Sequence, residues 1–230
     1  MRATKQIGDQ FFIGSKTVDV VPGGMSDAGI LELKFVDAAE VVFVLDTSGS
    51  ITSRPVCDLI TAVNTMVSTV APNTQTTAYG ITQQFPGGCS SDSVLSALGG
   101  GVPGQPGGCG SQLSGNESWG PATAIVAENF PWQTNVRVII PISDEAPCGG
   151  GLSCNSADAD SLLNALAVCQ ANGVTVLPVM GFQTPACVKA LAEDIALATN
   201  GSVVDVEVTP GGYEGAKDLL ADLILGAAGQ

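Results

Sequence analysis

Histidine is absent from all 230 residues of the sequence. Because imidazole is the usual general base at neutral pH and a common zinc ligand, its absence excludes His-based catalytic triads and His-ligated zinc sites. Cysteine pairs with the spacing Cys-x-x-Cys are also missing, which removes the pattern of zinc ribbons and of thioredoxin-like redox sites. The sequence thus lacks the groups on which several large enzyme classes depend, and no catalytic residue is predicted.

Basic residues and long apolar runs are both scarce. The chain has 8 Lys and Arg against 22 Asp and Glu, a net charge of −14. Nucleic acids and anionic lipids are bound through basic patches, so neither is expected as a partner. Although 45% of the residues are hydrophobic, no apolar run reaches the roughly 18 residues that a membrane-spanning helix needs, so no membrane insertion is expected. Metal ions and other cations suit this charge better.

Seven cysteines occur in the chain, several of them in Gly-rich stretches. This pattern favours disulfides in an oxidising compartment, so we predict at least two disulfides and an extracellular or cell-surface location. Cys148 and Cys154 enclose a short loop and are predicted to pair, while Cys89 and Cys109 bracket a longer loop and form a candidate pair. Three cysteines remain unassigned, and the odd total leaves one thiol free or intermolecular: Cys57, Cys169 and Cys187.

The middle and end of the chain alternate between strand-like and helix-like patterns. Continuous apolar runs, typical of strands buried on both faces, occur at 41–45, 136–142, 174–179 and 203–208, with a weaker one near 77–85. Apolar residues at helical spacing lie between them, over 56–70, 162–169 and 188–195. Thr184 and Pro185 are interpreted as the N-cap and first residue of the last of these helices. The alternation predicts an α/β fold with a doubly wound, mainly parallel sheet flanked by helices on both faces.

Two regions depart from this repeat. Residues 1–38 contain short alternating pieces such as 31–35, which predict an N-terminal extension or edge hairpin. Residues 87–115 are rich in Gly, Pro, Ser and Cys and are too long for an ordinary connection, so a disulfide-pinned surface loop is expected there. The main domain is assigned to residues 39–230.

Candidate metal ligands follow the first buried strand. Asp46, Ser48 and Ser50 stand at a spacing of two in the turn that leaves this strand. Ligands of open parallel sheets bind at the carboxyl ends of strands, and hard oxygen donors suit Mg²⁺, Ca²⁺ or Mn²⁺. The alternative is that Asp46 caps the next helix and that the two serines are incidental.

A second strand end argues against that alternative. The apolar run 138–142 closes on Ser143 and Asp144, and in a doubly wound sheet this end would lie beside the first. Asp144 would then face Asp46 across a crevice. Two close carboxylates repel each other unless a cation or a proton lies between them, so the sequence predicts one divalent cation there.

These residues resemble a known family. Asp46-Thr47-Ser48-Gly49-Ser50 matches the Asp-x-Ser-x-Ser motif of the metal-ion-dependent adhesion site in von Willebrand factor A domains, and Ser143-Asp144 resembles the later aspartate of that site. The resemblance covers roughly residues 40–228. Within the family, the chain resembles the cysteine-rich A domains of bacterial surface proteins. It implies a Mg²⁺-like ion on top of the sheet and an acidic side chain from a partner protein that completes the coordination.

The sequence departs from the family in the loop between these motifs. The family often has Gly-Gly-Thr-x-x-Gly-x-Ala there, with a Thr ligand, and the corresponding stretch is 115–122. Glu117 falls at the Thr position, although a slip of one residue would place Ser118 there. A Glu117 ligand would raise the formal site charge to −3 and favour Ca²⁺ or Mn²⁺ over Mg²⁺. The alternative is that Glu117 points to solvent.

Four neighbouring residues have simpler interpretations. Trp119 is more often a lid over the core than a platform for a ligand. Glu145 is expected to add to the negative electrostatic potential beside Asp144 without coordinating the metal. Asp158 and Asp160 favour the N-terminus of their own helix.

The main functional hypothesis is a metal-dependent adhesion or protein-ligand-binding module of an extracellular or surface protein. The alternative is a structural subunit that self-associates in a surface filament or coat, using the same fold. A metal-dependent hydrolase is disfavoured because Ser48 and Ser50 are candidate metal ligands and no other nucleophile and base are evident. The chain is therefore not expected to be an enzyme.

Overall fold

The computed structural model describes residues 2–7, 10–15, 34–36, 38–99, 113 and 115–228, with side chains from residue 38 onward. Its strands form two separate sheets. The strands are β1 Arg2–Ile7, β2 Gln10–Ser15, β3 Lys34–Val36, β4 Ala39–Leu45, β5 Gln75–Gly80, β6 Asp92–Ser93, β7 Val136–Ser143, β8 Val174–Val176, β9 Val179–Met180 and β10 Val204–Asp205. The helices are α1 Ser53–Val70, α2 Val94–Leu98, α3 Trp119–Asn129, α4 Ser156–Ala171, α5 Ala186–Ala198 and α6 Tyr213–Ala228.

The main sheet has seven strands, in the order β10-β9-β7-β4-β5-β6 with β8 paired to β7. All of its strand pairs are parallel. Strands β4 and β7 lie at its centre, which explains their continuous apolar sequences, because a central strand with helices on both faces has no solvent-facing side. Every residue of β4 is buried.

Alternate side chains of the central strands enter two different cores. Val41 and Phe43 of β4 pack with helices α1 and α6, whereas Val42 and Val44 pack with helices α3, α4 and α5. Successive strand residues point to opposite faces, so one apolar strand supplies both cores. The predicted doubly wound α/β fold, with helices on both faces, is confirmed.

Strand order reverses between β4 and β7. The chain proceeds from β4 to β5 and β6 on one side, and β7 then pairs with the other side of β4. In such a sheet the loops that leave the two central strands diverge to opposite sides, and a crevice opens at their carboxyl ends. Residues 46–50 and 144–151 follow these two strands and border this crevice.

The secondary structure differs from the sequence-based expectation at several places. The run 174–179 divides into β8 and β9, since Pro178 between them has no N–H to donate. Pro185 is the N-cap of α5 rather than its first residue. Helix α3 was not anticipated because nine of its eleven residues are buried, so it shows no amphipathic period. No helix in the described residues is both long and apolar enough to cross a membrane.

The N-terminal strands form a sheet of their own. Strands β1 and β2 make an antiparallel hairpin, and β3 pairs with β2 on its other side. No described strand links this sheet to the seven-stranded one. The predicted alternating segment 31–35 lies partly outside the described residues, and the division at residue 38 stays a prediction.

Two disulfides are described, and they correct both predicted pairs. Cys57 in α1 bonds Cys89, with Cα atoms 5.2 Å apart, so the pairing of Cys89 with Cys109 is wrong, and Cys109 itself lies outside the described residues. Cys154 bonds Cys187 at the start of α5, with Cα atoms 6.1 Å apart.

The predicted pairing of Cys148 with Cys154 is therefore also wrong, although Cys148 is itself disulfide-bonded. The bonds join segments that the sheet brings together, which spacing along the chain does not reveal. The expectation of at least two disulfides is confirmed and supports an oxidising, extracellular location. Cys169 is free and buried, and burial raises the pKa of its thiol to about 12, which disfavours the reactive thiolate.

The start of α4 depends on a buried carboxylate. Asp158 is fully buried and accepts hydrogen bonds from the backbone N–H groups of Cys148 and Asn155, at 2.9 and 2.8 Å. The side chain of Asn155 accepts from Ala157 N–H and also from the N–H of Asp158 itself, and this second bond completes a capping box. Asp158 therefore caps its helix, as expected, and also fixes the loop after β7, whereas Asp160 lies beyond the first turn and is exposed.

Replacing Asp158 by Ala should lower the free energy of unfolding by about 2 kcal/mol, because two partly buried N–H groups lose a charged acceptor. Denaturant unfolding in chelator would measure this change. Asp160→Ala is the matched control, since it removes an exposed carboxylate of the same helix. Equal effects of the two substitutions would contradict the assigned role of Asp158.

Candidate functional site

Asp46 is the innermost residue of the crevice. It directly follows β4, and its N–H donates to the carbonyl of Ile142 in β7 at 2.9 Å. Its side chain is fully buried. One carboxylate oxygen accepts from the Ser48 N–H at 2.7 Å, and the other accepts from the Ser143 hydroxyl at 2.7 Å. Asp46 therefore shapes its own loop and links the ends of the two central strands.

The two serines of the motif extend the hydrogen-bond network of Asp46 toward solvent. The hydroxyl oxygens of Ser48 and Ser50 lie 2.8 Å apart, and Ser50 donates to Asp144 Oδ1 at 2.9 Å. Asp144 directly follows β7. The structure thus brings four of the predicted residues into one set: Asp46, Ser48, Ser50 and Asp144.

This set opens on one side only. Asp46 and Ser48 are buried, whereas Ser50 is exposed and Asp144 is half-buried. A molecule from solvent would therefore approach over Ser50 and Asp144.

The loop before α3 forms another wall of the crevice. Thr47 N–H donates to the Asn116 carbonyl at 3.2 Å, which attaches this loop to the Asp46 loop. Ser118 is fully buried, and its hydroxyl accepts from Gly149 N–H at 3.0 Å. That contact ties the loop before α3 to the loop after β7.

Glu117 lies against a second carboxyl group, that of Glu145, and the two share a hydrogen bond. Glu145 is held in place because its Oε2 accepts from Gly151 N–H at 2.6 Å. Gly150 has a φ of +82°, and a Cβ there would lie 1.7 Å from Glu117 Oε2, so a side chain at this position would strain the backbone and displace the Glu117 carboxyl group. The sequence predicts only an electrostatic effect for Glu145 and does not indicate its contact with Glu117.

The crevice raises the pKa of several carboxyl groups. Burial raises the pKa of Asp46 to about 6, and the charge of Asp144 adds to this, while hydrogen bonds from Ser143 and Ser48 oppose it. Burial also raises the pKa of Asp144. The pKa of Glu117 rises to about 7 through burial, then through the charge and hydrogen bond of Glu145, and finally through Asp46 and Asp144. Each carboxylate thus makes ionisation of the others less favourable, and a bound cation would reverse this effect.

The donor set fits a hard divalent cation, with two carboxylates and two hydroxyls. Neighbouring oxygen ligands of an octahedral ion, each at about 2.1 Å, lie about 3.0 Å apart, and the distances from Ser50 to Ser48 and to Asp144 are 2.8 and 2.9 Å. In the described residues no group of three or more His, Cys, Asp or Glu side chains is arranged to hold a metal ion. A third carboxylate ligand from Glu117 stays a prediction.

Trp119 belongs to the core rather than to a ligand surface. It is fully buried, and its ring N–H donates to the Glu145 carbonyl at 2.9 Å. The indole therefore fixes the backbone that carries Glu145.

Two further residues border the site and were not identified from the sequence. Gly181 follows β9, and a Cβ there would lie 3.1 Å from Asp144 Cβ and 3.1 Å from the Tyr213 hydroxyl. Burial raises the pKa of Tyr213, and the charges of Asp144 and Asp46 add to this. Gly181 could have been found as the end of a third apolar run, whereas Tyr213 begins an unanticipated helix and had no such signal.

Comparisons with known proteins add little to this geometry. No sequence family and no curated protein matches the chain. Among solved structures, the PilB minor pilin from Streptococcus sanguinis matches with a TM-score of 0.49 and 11% identity, over 97% of this chain and 76% of the pilin chain. A point mutant of that pilin matches with a TM-score of 0.48 and the same identity and coverage. The resemblance to von Willebrand factor A domains rests on the sequence motifs and stays a prediction.

The raised pKa of Asp46 predicts a pH-dependent cost of folding without metal. Between its ordinary value of 3.8 and about 6, the folded protein keeps a proton that the unfolded chain has lost, so this group's contribution to stability falls as pH rises. In chelator, the melting temperature of Asp46→Asn should therefore rise relative to that of the unmodified protein as the pH is increased from about 4 to about 7. Saturating Mg²⁺ or Ca²⁺ should reduce or reverse that gain.

Thermal unfolding of both forms across this pH range, with and without metal, measures the difference. Asp160→Asn is the control, because its exposed carboxylate lies outside the crevice. A difference in melting temperature that does not vary with pH would show that folding does not raise the pKa of Asp46.

Proposed function

We propose that the chain is a metal-dependent ligand-binding module of an extracellular or surface protein, in which Asp46, Ser48, Ser50 and Asp144 hold one divalent cation. The observation that carries the proposal is the continuous set of hydrogen bonds from Asp46 through the two serines to Asp144. It places two carboxylates and two hydroxyls at the strand-order reversal of a parallel sheet, where ligands of such folds bind.

The serine hydroxyls can bind a cation without losing their present partners. A hydroxyl oxygen has two lone pairs besides its O–H, so Ser50 can offer a lone pair to the ion while it still donates to Asp144. Asp46 and Asp144 supply two negative charges, which balance a divalent ion. The cation would supply an electrophilic position for a carboxylate of a protein partner, as the family resemblance implies.

The identity of the cation follows from the number of carboxylates that reach it. Two carboxylates and several neutral oxygens form a shell that Mg²⁺ accepts, whereas a third carboxylate would favour Ca²⁺ or Mn²⁺. The hydrogen bond between Glu117 and Glu145 supports the two-carboxylate shell. We therefore propose Mg²⁺ as the first candidate and Ca²⁺ or Mn²⁺ as alternatives.

We propose binding rather than catalysis for this site. Ser50 does donate to a carboxylate, Asp144, but both groups are proposed here to surround the cation. The crevice also opens on the side of Ser50 and Asp144, where a large partner can reach the ion. Turnover of an ester or phosphate substrate that Asp46→Ala abolishes would argue for an enzyme instead.

A self-assembling structural subunit is the second candidate function. In the described residues the N-terminal sheet pairs only within itself, and its outer strands β1 and β3 each have one unpaired edge. Unpaired strand edges are templates for pairing with another chain. Homotypic association that is insensitive to chelator would favour this function over metal-dependent binding.

Calorimetric titration of Mg²⁺ and Ca²⁺ tests the metal site directly. We expect one ion per chain, and we expect Asp46→Asn and Ser50→Ala each to lower the affinity about tenfold or more, because each removes a charge or a donor at the ion. Asp160→Asn should leave the affinity unchanged, since its carboxylate is exposed elsewhere. Unchanged affinity in Asp46→Asn would overturn the proposed site.

Glu117→Thr tests the loop that departs from the family. Removing this carboxylate should lower the affinity for metal, because one negative charge near the ion is lost. At saturating metal it should raise the affinity for an acidic peptide, because the ion becomes more electrophilic. Calorimetry of metal and then of peptide measures both effects.

Glu117→Gln is the companion variant, since it removes the charge but keeps a group that can hydrogen-bond to Glu145. If both variants keep the original metal affinity, Glu117 does not act on the ion. Ser118 would then be the better assignment for the loop ligand.

A further inference from the structure

Phe182 is a large apolar side chain on the face that carries the crevice. It follows Gly181 at the end of β9, and 53% of its surface is exposed. A single exposed apolar residue is common on protein surfaces and needs no explanation. Phe182 differs from such residues because it follows β9, and therefore lies at the same end of the parallel sheet as Asp46 and Asp144.

The neighbouring residue Gly181 shows how far Phe182 lies from the site. A Cβ at Gly181 would lie 3.1 Å from Asp144 Cβ, and adjacent Cα atoms are about 3.8 Å apart. The Phe182 backbone therefore lies within about 8 Å of the Asp144 side chain. Asp144 and Ser50 form the solvent-facing side of the crevice, and about 8 Å is the span of two to three extended residues, so a peptide whose carboxylate reaches the ion can also reach Phe182.

Phe182 is also held in a defined position. Its ring packs edge-on against Tyr213, with centroids 5.8 Å apart and an interplanar angle of 82°. Gly212 allows close approach, since a Cβ there would lie 3.0 Å from the Phe182 ring. The turn is closed by the Thr184 hydroxyl, which donates to the Gly181 carbonyl at 2.9 Å.

The turn that presents Phe182 contains an uncommon backbone conformation. Gln183 has a φ of 62°, in the left-handed region that residues other than glycine rarely adopt. Such conformations persist where the surrounding structure enforces them, often at ligand sites. The ring is therefore exposed by a rigid turn rather than by a loose one.

We propose that Phe182 is an apolar subsite of the metal site and determines which acidic ligands bind. The ligand is a protein segment in which a carboxylate completes the coordination of the cation and a neighbouring large apolar side chain packs on Phe182. This inference rests on the proposed metal-dependent binding function. A basic residue is not the expected ligand, because the bound cation would repel it.

Three synthetic peptides provide the probes. The first contains one aspartate between two phenylalanines, the second contains the same aspartate between two glycines, and the third replaces the aspartate of the first by asparagine. At saturating Mg²⁺ we expect the first to bind about fivefold more tightly than the second, the gain typical of an aromatic contact. The third should not bind detectably.

Substitution of Phe182 should remove this preference selectively. Phe182→Ala should reduce the affinity for the first peptide to that for the second and leave the metal affinity unchanged, whereas Phe182→Leu should keep most of the preference. Leu197→Ala is the matched control, since Leu197 is 80% exposed but lies at the far end of α5 from the crevice. Melting temperatures of all variants confirm folding.

The outcomes separate this inference from the function on which it rests. Failure of the unmodified protein to bind Mg²⁺, Ca²⁺ or Mn²⁺ would overturn the proposed function. Metal binding with equal affinity for the first two peptides, or a preference that survives in Phe182→Ala, would overturn the subsite alone. A loss of self-association in Phe182→Ala, without any change in peptide binding, would assign the ring to homotypic contact instead and also overturn it.

Discussion

The burial of one carboxyl group, that of Asp46, is the constraint on which the rest of the site depends. Asp46 lies fully buried where β4 ends, and both of its oxygens accept hydrogen bonds, from Ser48 N–H and from the Ser143 hydroxyl. The first bond turns the loop so that the two motif serines approach each other. The second joins this loop to β7 and so brings Asp144 alongside. Without that carboxylate the two strand ends would have no common acceptor.

Concentrating carboxyl groups in this way opposes folding, and the surrounding structure restrains them. The raised pKa values of Asp46 and Glu117 express this unfavourable electrostatic environment. Buried Trp119 holds the Glu145 backbone, and buried Asp158 holds the start of α4. The described disulfides tie the loops near the starts of α1, α4 and α5. Hydrogen bonds and disulfides therefore hold this face together, which would reduce the entropy that binding of the proposed cation must remove.

The same face combines charge and apolar surface in a way that suits a protein ligand. The proposed cation would provide affinity for a carboxylate but little discrimination among acidic partners, since every partner offers the same group. Phe182, held by Tyr213 beside the opening, would supply that discrimination by shape and hydrophobic contact. Residues of three different strand ends thus contribute to one surface, which is typical of ligand sites in open parallel sheets.

The fold class is predictable from the sequence, and so is the proximity of most of the candidate metal ligands. Central strands consist of continuous apolar runs because helices cover both of their faces. The Asp46 motif and Asp144 directly follow such runs. Tertiary structure alone decided the cysteine pairs, helix α3, the contact of Glu117 with Glu145, and the position of Phe182. The physical reason is that strand and helix patterns are local in the chain. Disulfides, carboxyl pairs and binding surfaces depend on which distant segments the sheet order brings together.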